Sequence, residues 1–193
     1  MAIHDTKKNI INKAFELFKE QSYDKVTLND ICNACGITKT TFYYHLSSKE
    51  EIISHFYEEV TSSLADRLME IMVADNYWEQ FMTIFESLID RTETIGPGLL
   101  GQLMIMNLRK DEGTFDFDEN LTKVAVNLLE RAQTSGQVRN QSQALPLYKA
   151  ACHAFEGYDL LWCIKKGAYE RKKRLRYAFE QIFDVEPALR ITP

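Results

Sequence analysis

Apolar residues recur along this chain at steps of three and four, with no sustained two-residue alternation, and this spacing predicts helices throughout. The first runs from about Asp5 or Thr6 to Gln21, with Ile10, Ile11, Ala14, Phe15, Leu17 and Phe18 as a broad stripe. Three short helical signals follow between residues 27 and 51, TLNDICNACGITKTTFYYHLSSKEE. The last of them opens a long stripe, Ile52, Ile53, Phe56, Val60, Leu64, Leu68 and Ile71, which carries a helix to about Val73. NYWEQFMTIFESLIDRT is amphipathic, Ile95-Gly96-Pro97-Gly98 breaks the chain, and LLGQLMIMNLRK is a short apolar helix. An acidic linker, DEGTFDFDE, leads into NLTKVAVNLLERAQTSGQV, which Gly136 ends. A long helix from Pro146 stops at Gly167, and YERKKRLRYAFEQIFDV stops before Pro187. No strand of substance, repeat or low-complexity tail interrupts the series. The expected class is all-α, with about nine helices.

The stretch from 27 to 51 has its own punctuation. Thr27 suits an N-cap, answered by Asp30 three residues on, and Ile31 and Ala34 then face inward. Gly36 falls where the helix ends and a positive φ is needed. Ile37 plugs the turn, Thr38 caps TKTTFYYHL, and Ser48 with Glu51 forms a second box. Two short helices around a glycine turn make a helix-turn-helix, whose second helix fits the major groove. Thr38, Lys39, Thr40 and Thr41 fill its first turn, where free N–H groups and the helix dipole favour a phosphate or a base acceptor. Threonine and lysine can address base edges, and Tyr43, Tyr44 and His45 carry polar tips that reach phosphate. Phe42 and Leu46 are its apolar stripe. A plain solvated face is the competing reading.

These residues resemble the DNA-binding domain of the tetracycline-repressor-like (TetR/AcrR) family of bacterial transcription regulators. The likeness runs from IINKAFELFKEQSYDKVTLNDI through CGITKTTFYYHLSSKEEI. It implies an N-terminal three-helix DNA-binding domain over 1–50 and a larger helical effector-binding and dimerisation domain over 51–193. It implies DNA contacts from Thr27, Thr38, Lys39, Thr40, Thr41, Tyr43, Tyr44, His45 and Lys49. Ser22 and Thr40 stand where the family often has glycine, and Leu46 where it often has phenylalanine. Ser22 and Leu46 read as packing changes, whereas Thr40 bears on base preference. The resemblance further implies a homodimer through the last two long helices. These carry small residues (Ala150, Ala151, Ala154, Gly157) and bulky ones (Leu161, Leu175, Ala178, Phe179, Ile182, Phe183). Packing within the chain is the competing account. A pocket for a small-molecule effector is expected, by resemblance, among Trp78, Phe81, Phe85, Leu103, Met104, Asn107, Phe155, Tyr158 and Trp162. Large apolar side chains with a few polar handles suit a ligand, and equally suit a core.

Composition changes this picture only at the margins. Of 193 residues, 45% are hydrophobic and 26% charged, as in an ordinary globular protein, and no apolar run approaches a membrane span. The N-terminus, MAIHDTKKNI, has no secretory h-region, so a cytoplasmic protein is expected. The net charge of −5 is unusual for a DNA binder. Residues 1–50 hold seven lysines and six acids, the rest 16 basic and 22 acidic residues, so any electropositive face depends on Lys7, Lys8, Lys39 and Lys49 and on helix N-termini. Non-specific binding is then weak and salt-sensitive, and specificity rests on a paired palindromic site. Cys32-x-x-Cys35 has no second ligand pair at zinc spacing and reads as packing. His55-x-x-Glu58 and His153-x-x-Glu156 reverse the order used in di-iron bundles, and read as surface pairs. Neither a cofactor nor a metal nor an enzyme activity is expected. A helical-bundle metal enzyme and a helical protein-binding adaptor are the other classes.

Overall fold

A computed structural model describes residues 3–62, 74, 76–116 and 118–191. Among these are nine α-helices and no strand: α1 (Ile3–Gln21), α2 (Leu28–Cys35), α3 (Lys39–His45), α4 (Lys49–Ser62), α5 (Tyr77–Ile95), α6 (Pro97–Arg109), α7 (Glu119–Thr134), α8 (Ala144–Ile164) and α9 (Arg171–Ile182). The all-α expectation holds. The predicted extension of α4 from Leu64 to Val73 lies outside the described residues.

Two compact units result. The first contains residues through Ser62 together with Gly98–Thr114, and the second holds the remainder. The expected boundary at residue 50 therefore differs from the packing: α4 lies against α1 and belongs to the first unit. Apolar spacing along one helix does not report which neighbour it meets. In the first unit Ile10, Ala14, Phe18, Val26, Ile31, Phe42, Leu46 and Ile52 are fully or almost fully buried. Each sits on the stripe that its own helix spacing, or the loop before α2, directs inward.

The second unit packs α5, α7, α8 and α9 around an aromatic core. Phe85 meets Phe179 edge-on at 4.8 Å between centroids, Phe81 meets Phe183 at 5.1 Å, and Trp78 stacks on Phe81 at 6.0 Å. Edge-to-face and offset pairs add attraction beyond simple burial. Two buried arginines of α9 join these helices. Arg171 donates to Asp159 at 2.5 Å and to the Ile89 carbonyl at 2.9 Å, and lies 3.8 Å from the Trp162 ring. Arg176 pairs with Glu79 and, at 3.0 Å, with Glu86 of α5. Burial pushes the Asp159 carboxyl up to about 6, although the Arg171 charge pulls the other way.

Candidate nucleic-acid interface

The helix-turn-helix forms as its caps dictate. Thr27 and Asp30 make a reciprocal box, the Thr27 N–H donating to the Asp30 carboxylate at 2.8 Å and the Asp30 N–H to Thr27 Oγ1 at 3.3 Å. The Thr27 hydroxyl, donating to the same carboxylate at 2.6 Å, and the Thr27 N–H hold the Asp30 carboxyl below its usual range. Gly36 ends α2 at φ 65°, its N–H donating to Asn33 O and that of Ile37 to Cys32 O at 3.0 Å. This double bond back into the last turn is the left-handed stop that glycine permits without a Cβ penalty. Thr38 then accepts from the Thr41 N–H at 3.1 Å and starts α3.

The third box departs from expectation by one residue. The Glu51 N–H donates to Ser48 Oγ at 3.2 Å, but the Glu51 carboxylate accepts from Ser47, N–H and hydroxyl both at 2.6 Å. Two adjacent serines offer the same chemistry, and the longer reach wins the charged acceptor. Burial would raise the Glu51 pKa; the Ser47 bonds, His55 and the Lys7 charge outweigh it and bring it to about 2.

On α3 the faces separate as the stripe predicts. Phe42 and Leu46 are buried, while Thr38, Lys39, Thr40, Tyr43 and Tyr44 are exposed and Thr41 and His45 half-buried. Tyr43 and Tyr44 keep 57% and 71% of their surface open. Each makes one edge-on ring contact, Tyr43 with Phe42 at 5.6 Å and Tyr44 with His45 at 5.0 Å, and otherwise faces outward. Thr27 is exposed at the start of α2. Ala34, expected to face inward, is also exposed, and the next buried position after Ile31 is Cys32.

The expected lysines divide. Lys39 projects outward from the first turn of α3 with no ion pair among the described residues. Lys7 lies 2.8 Å from His55 Nε2 and 3.6 Å from Glu51. Lys49 turns inward: its ammonium donates to Tyr23 O at 2.9 Å and Val26 O at 3.0 Å. Ser22 adopts φ 70°, so glycine would suit this position for its backbone and not, as expected from sequence, for packing.

The expected effector residues are not gathered into one unit. Trp78, Phe81, Phe85, Phe155, Tyr158 and Trp162 belong to the second, and Leu103, Met104 and Asn107 to the first. Trp78, Phe81, Phe85 and Leu103 are core residues with 2% exposure or less. Asn107 donates to Leu103 O at 3.0 Å and Thr114 Oγ1 at 3.1 Å, tying down its own loop. The histidine–glutamate pairs are exposed contacts, 3.2 Å for His55 with Glu58 and 3.5 Å for His153 with Glu156. Among the described residues no three His, Cys, Asp or Glu side chains group to hold a metal, and no helix is long and apolar enough to cross a membrane.

Residues 10–56, the capped helices themselves, match the family described as bacterial regulatory proteins, tetR family. The chain's N-terminal domain is of the TetR-family type. Its similarity continues beyond that domain. The Staphylococcus aureus (strain Newman) biofilm operon icaADBC HTH-type negative transcriptional regulator IcaR is 29% identical over 140 residues, spanning 61% of this chain and 73% of the relative. Solved structures share the fold over nearly the whole length. Thermus thermophilus FadR, a TetR-family repressor in complex with lauroyl-CoA, aligns at TM-score 0.61 and 18% identity, covering 91% of this chain and 92% of that one. A gamma-butyrolactone receptor (ArpA-like protein) aligns at TM-score 0.64 and 16% identity, covering 99% and 94%. The exposed face of α3 lies within the residues matched to that family of regulatory proteins.

Proposed function

We propose that this protein is a cytoplasmic TetR-family repressor that binds a palindromic operator as a homodimer and is released by a small-molecule effector. The observation that carries it is the outward face of α3, with Thr38, Lys39, Thr40, Tyr43 and Tyr44 exposed on a short helix clamped by caps at its start and by Phe42 and Leu46 beneath. A helix of seven residues reads only a few base pairs, so a two-fold partner is needed for useful affinity. Thr27, Thr41 and His45 complete the DNA surface in this reading.

The dimer forms through the outer faces of α8 and α9. Ala150, His153, Gly157, Leu160, Leu161 and Ile164 are partly or well exposed along one side of α8, and Tyr177 stands 51% exposed on α9. Small residues, Ala150 and Gly157, lead the stripe and permit close helix approach, and the aliphatic Leu160, Leu161 and Ile164 follow. Leu175, Phe179 and Phe183 belong instead to the chain's own core. The IcaR relative is named a negative regulator and the FadR structure holds an acyl-CoA, which supports repression with effector release. An effector that favours one spacing of the paired α3 helices shifts the dimer towards it, and a coupling of about 1–3 kcal/mol changes occupancy several-fold. Light scattering at micromolar concentration tests the assembly: a dimer is expected, and a monomer in the presence of bound DNA would overturn this reading.

A further inference from the structure

The loop between α1 and α2 is gripped from both sides by two consecutive residues at the start of α4. The Lys49 ammonium has three N–H donors, and two of them converge on the carbonyls of Tyr23 and Val26, at 2.9 and 3.0 Å. The same ammonium sits 3.8 Å from the centre of the Tyr23 ring, a cation–π distance. Glu50 accepts from the Tyr23 hydroxyl at 3.0 Å, and Phe18 of α1 backs the ring at 5.0 Å. Burial and the Glu50 charge push the Tyr23 phenol up, so it stays a donor throughout the neutral range.

The consequence falls on one peptide plane. The carbonyl of Val26 is held by Lys49, and the N–H across the same bond, that of Thr27, is held by Asp30. A plane fixed at both ends cannot rotate, so the orientation of Thr27 and of the first turn of α2 is set by a side chain from α4. Two of its three donors are thereby committed inward above the ring, and swinging out towards solvent would cost the ammonium both charge-assisted hydrogen bonds.

We propose that Lys49 is a positioning residue for the DNA-reading surface, acting through the Val26–Thr27 peptide plane, and not a phosphate contact. This rests on the DNA-binding reading above. Lysine suits the place because a compact ammonium can converge on two carbonyls above a ring, whereas the planar guanidinium fork of arginine is shaped for carboxylate and phosphate.

The test compares wild type, Lys49→Met and Lys49→Arg on a duplex that the wild-type protein selects from a random-sequence library. Affinity is read by fluorescence anisotropy between about 50 and 200 mM salt, well below the melting temperature, with active fractions fixed by stoichiometric titration. Both variants are expected to bind about tenfold more weakly, the scale of one mismatched base pair, with the slope of log affinity against log salt unchanged. Amide hydrogen exchange at Thr27 and Asp30 is expected to speed up in both, which a general loss of stability would not confine to these positions. A slope reduced by about 0.9 per protomer in Lys49→Met, with Lys49→Arg restoring affinity, would mark a direct phosphate contact and overturn the proposal. Unchanged affinity in both variants would overturn it as well. A wild-type protein that selects no duplex at all would sink the DNA-binding reading itself, a different outcome from either.

Discussion

Cutting the buried link between α8 and α9 tests the structural logic of the second unit most sharply. Arg171 is 1% exposed and Asp159 5%, and they meet at 2.5 Å, so both charges have left water. Removing one partner from such a pair typically costs about 3–5 kcal/mol, because the other is left buried and uncompensated. For Asp159→Asn the loss should fall near the lower end, about 3 kcal/mol, since the amide still offers an oxygen and Arg171 keeps the Ile89 carbonyl and the Trp162 face. For Arg171→Met it is expected to be smaller, about 2–3 kcal/mol, because burial already draws Asp159 towards its neutral form and it can take up a proton. That raised carboxyl also says desolvation outweighs the attraction of the pair. The double variant Asp159→Leu/Arg171→Met should therefore lie within about 1 kcal/mol of wild type. Denaturant titration of the four proteins at pH 7 gives the comparison. A double variant as unstable as the worse single one, or an Asp159→Asn loss under about 0.5 kcal/mol, would show that the pair is not held as a buried, mutually compensating link.

Three further outcomes follow from local geometry. Ser22→Gly relieves a left-handed residue and should stabilise the protein by about 0.5–1 kcal/mol, the relief of strain being partly offset by the freer unfolded chain; thermal melting checks it, and a destabilised variant would contradict the φ of 70°. Glu51 has a folded pKa depressed to about 2 from its ordinary 4.5, so its stabilisation is complete above pH 4.5 and is lost as pH falls towards 2. The whole shift would be worth about 3 kcal/mol, and screening at a side chain 30% exposed reduces this to about 1–2 kcal/mol; the gap between wild type and Glu51→Gln in melts from pH 7 to pH 3 should close accordingly, and a constant gap would count against it. Lys39→Ala should cost roughly 1–3 kcal/mol of operator binding and relax preference at one position, whereas Tyr43→Phe should weaken all sequences about equally; equal binding by both variants and wild type would remove them from the interface.

What the sequence made legible was local. Thr27-x-x-Asp30, Gly36 and Thr38 announce themselves because a cap and its partner lie within one turn, and all three form. The serine pair at 47 and 48 could not be resolved from spacing, since either hydroxyl satisfies the pattern. Lys49 looked like an outward cation because nothing in the sequence shows that the loop from Tyr23 to Val26, more than twenty residues earlier, offers it two carbonyls. The aromatic residues of α5 are suited to a pocket or a core alike, and the packing of Phe179 and Phe183 against them made the core. The buried charges of α8 and α9 do carry a signal in the sequence. Arg171 precedes Leu175 and Phe179 at steps of four, and Asp159 falls between Phe155 and Trp162 on one helical face, so each charge sits on an apolar stripe where only a paired charge survives.

In the proposed complex α3 is offered to DNA twice, by a two-fold pair, in successive major grooves. Hydroxyl-radical footprinting on the duplex selected by wild-type protein examines it directly. Two dyad-related protected segments are expected, centred about 34–36 Å or a whole number of turns apart, and Lys39→Ala should change both halves alike. A single unpaired segment, or protection indifferent to sequence, would rule out paired reading by α3.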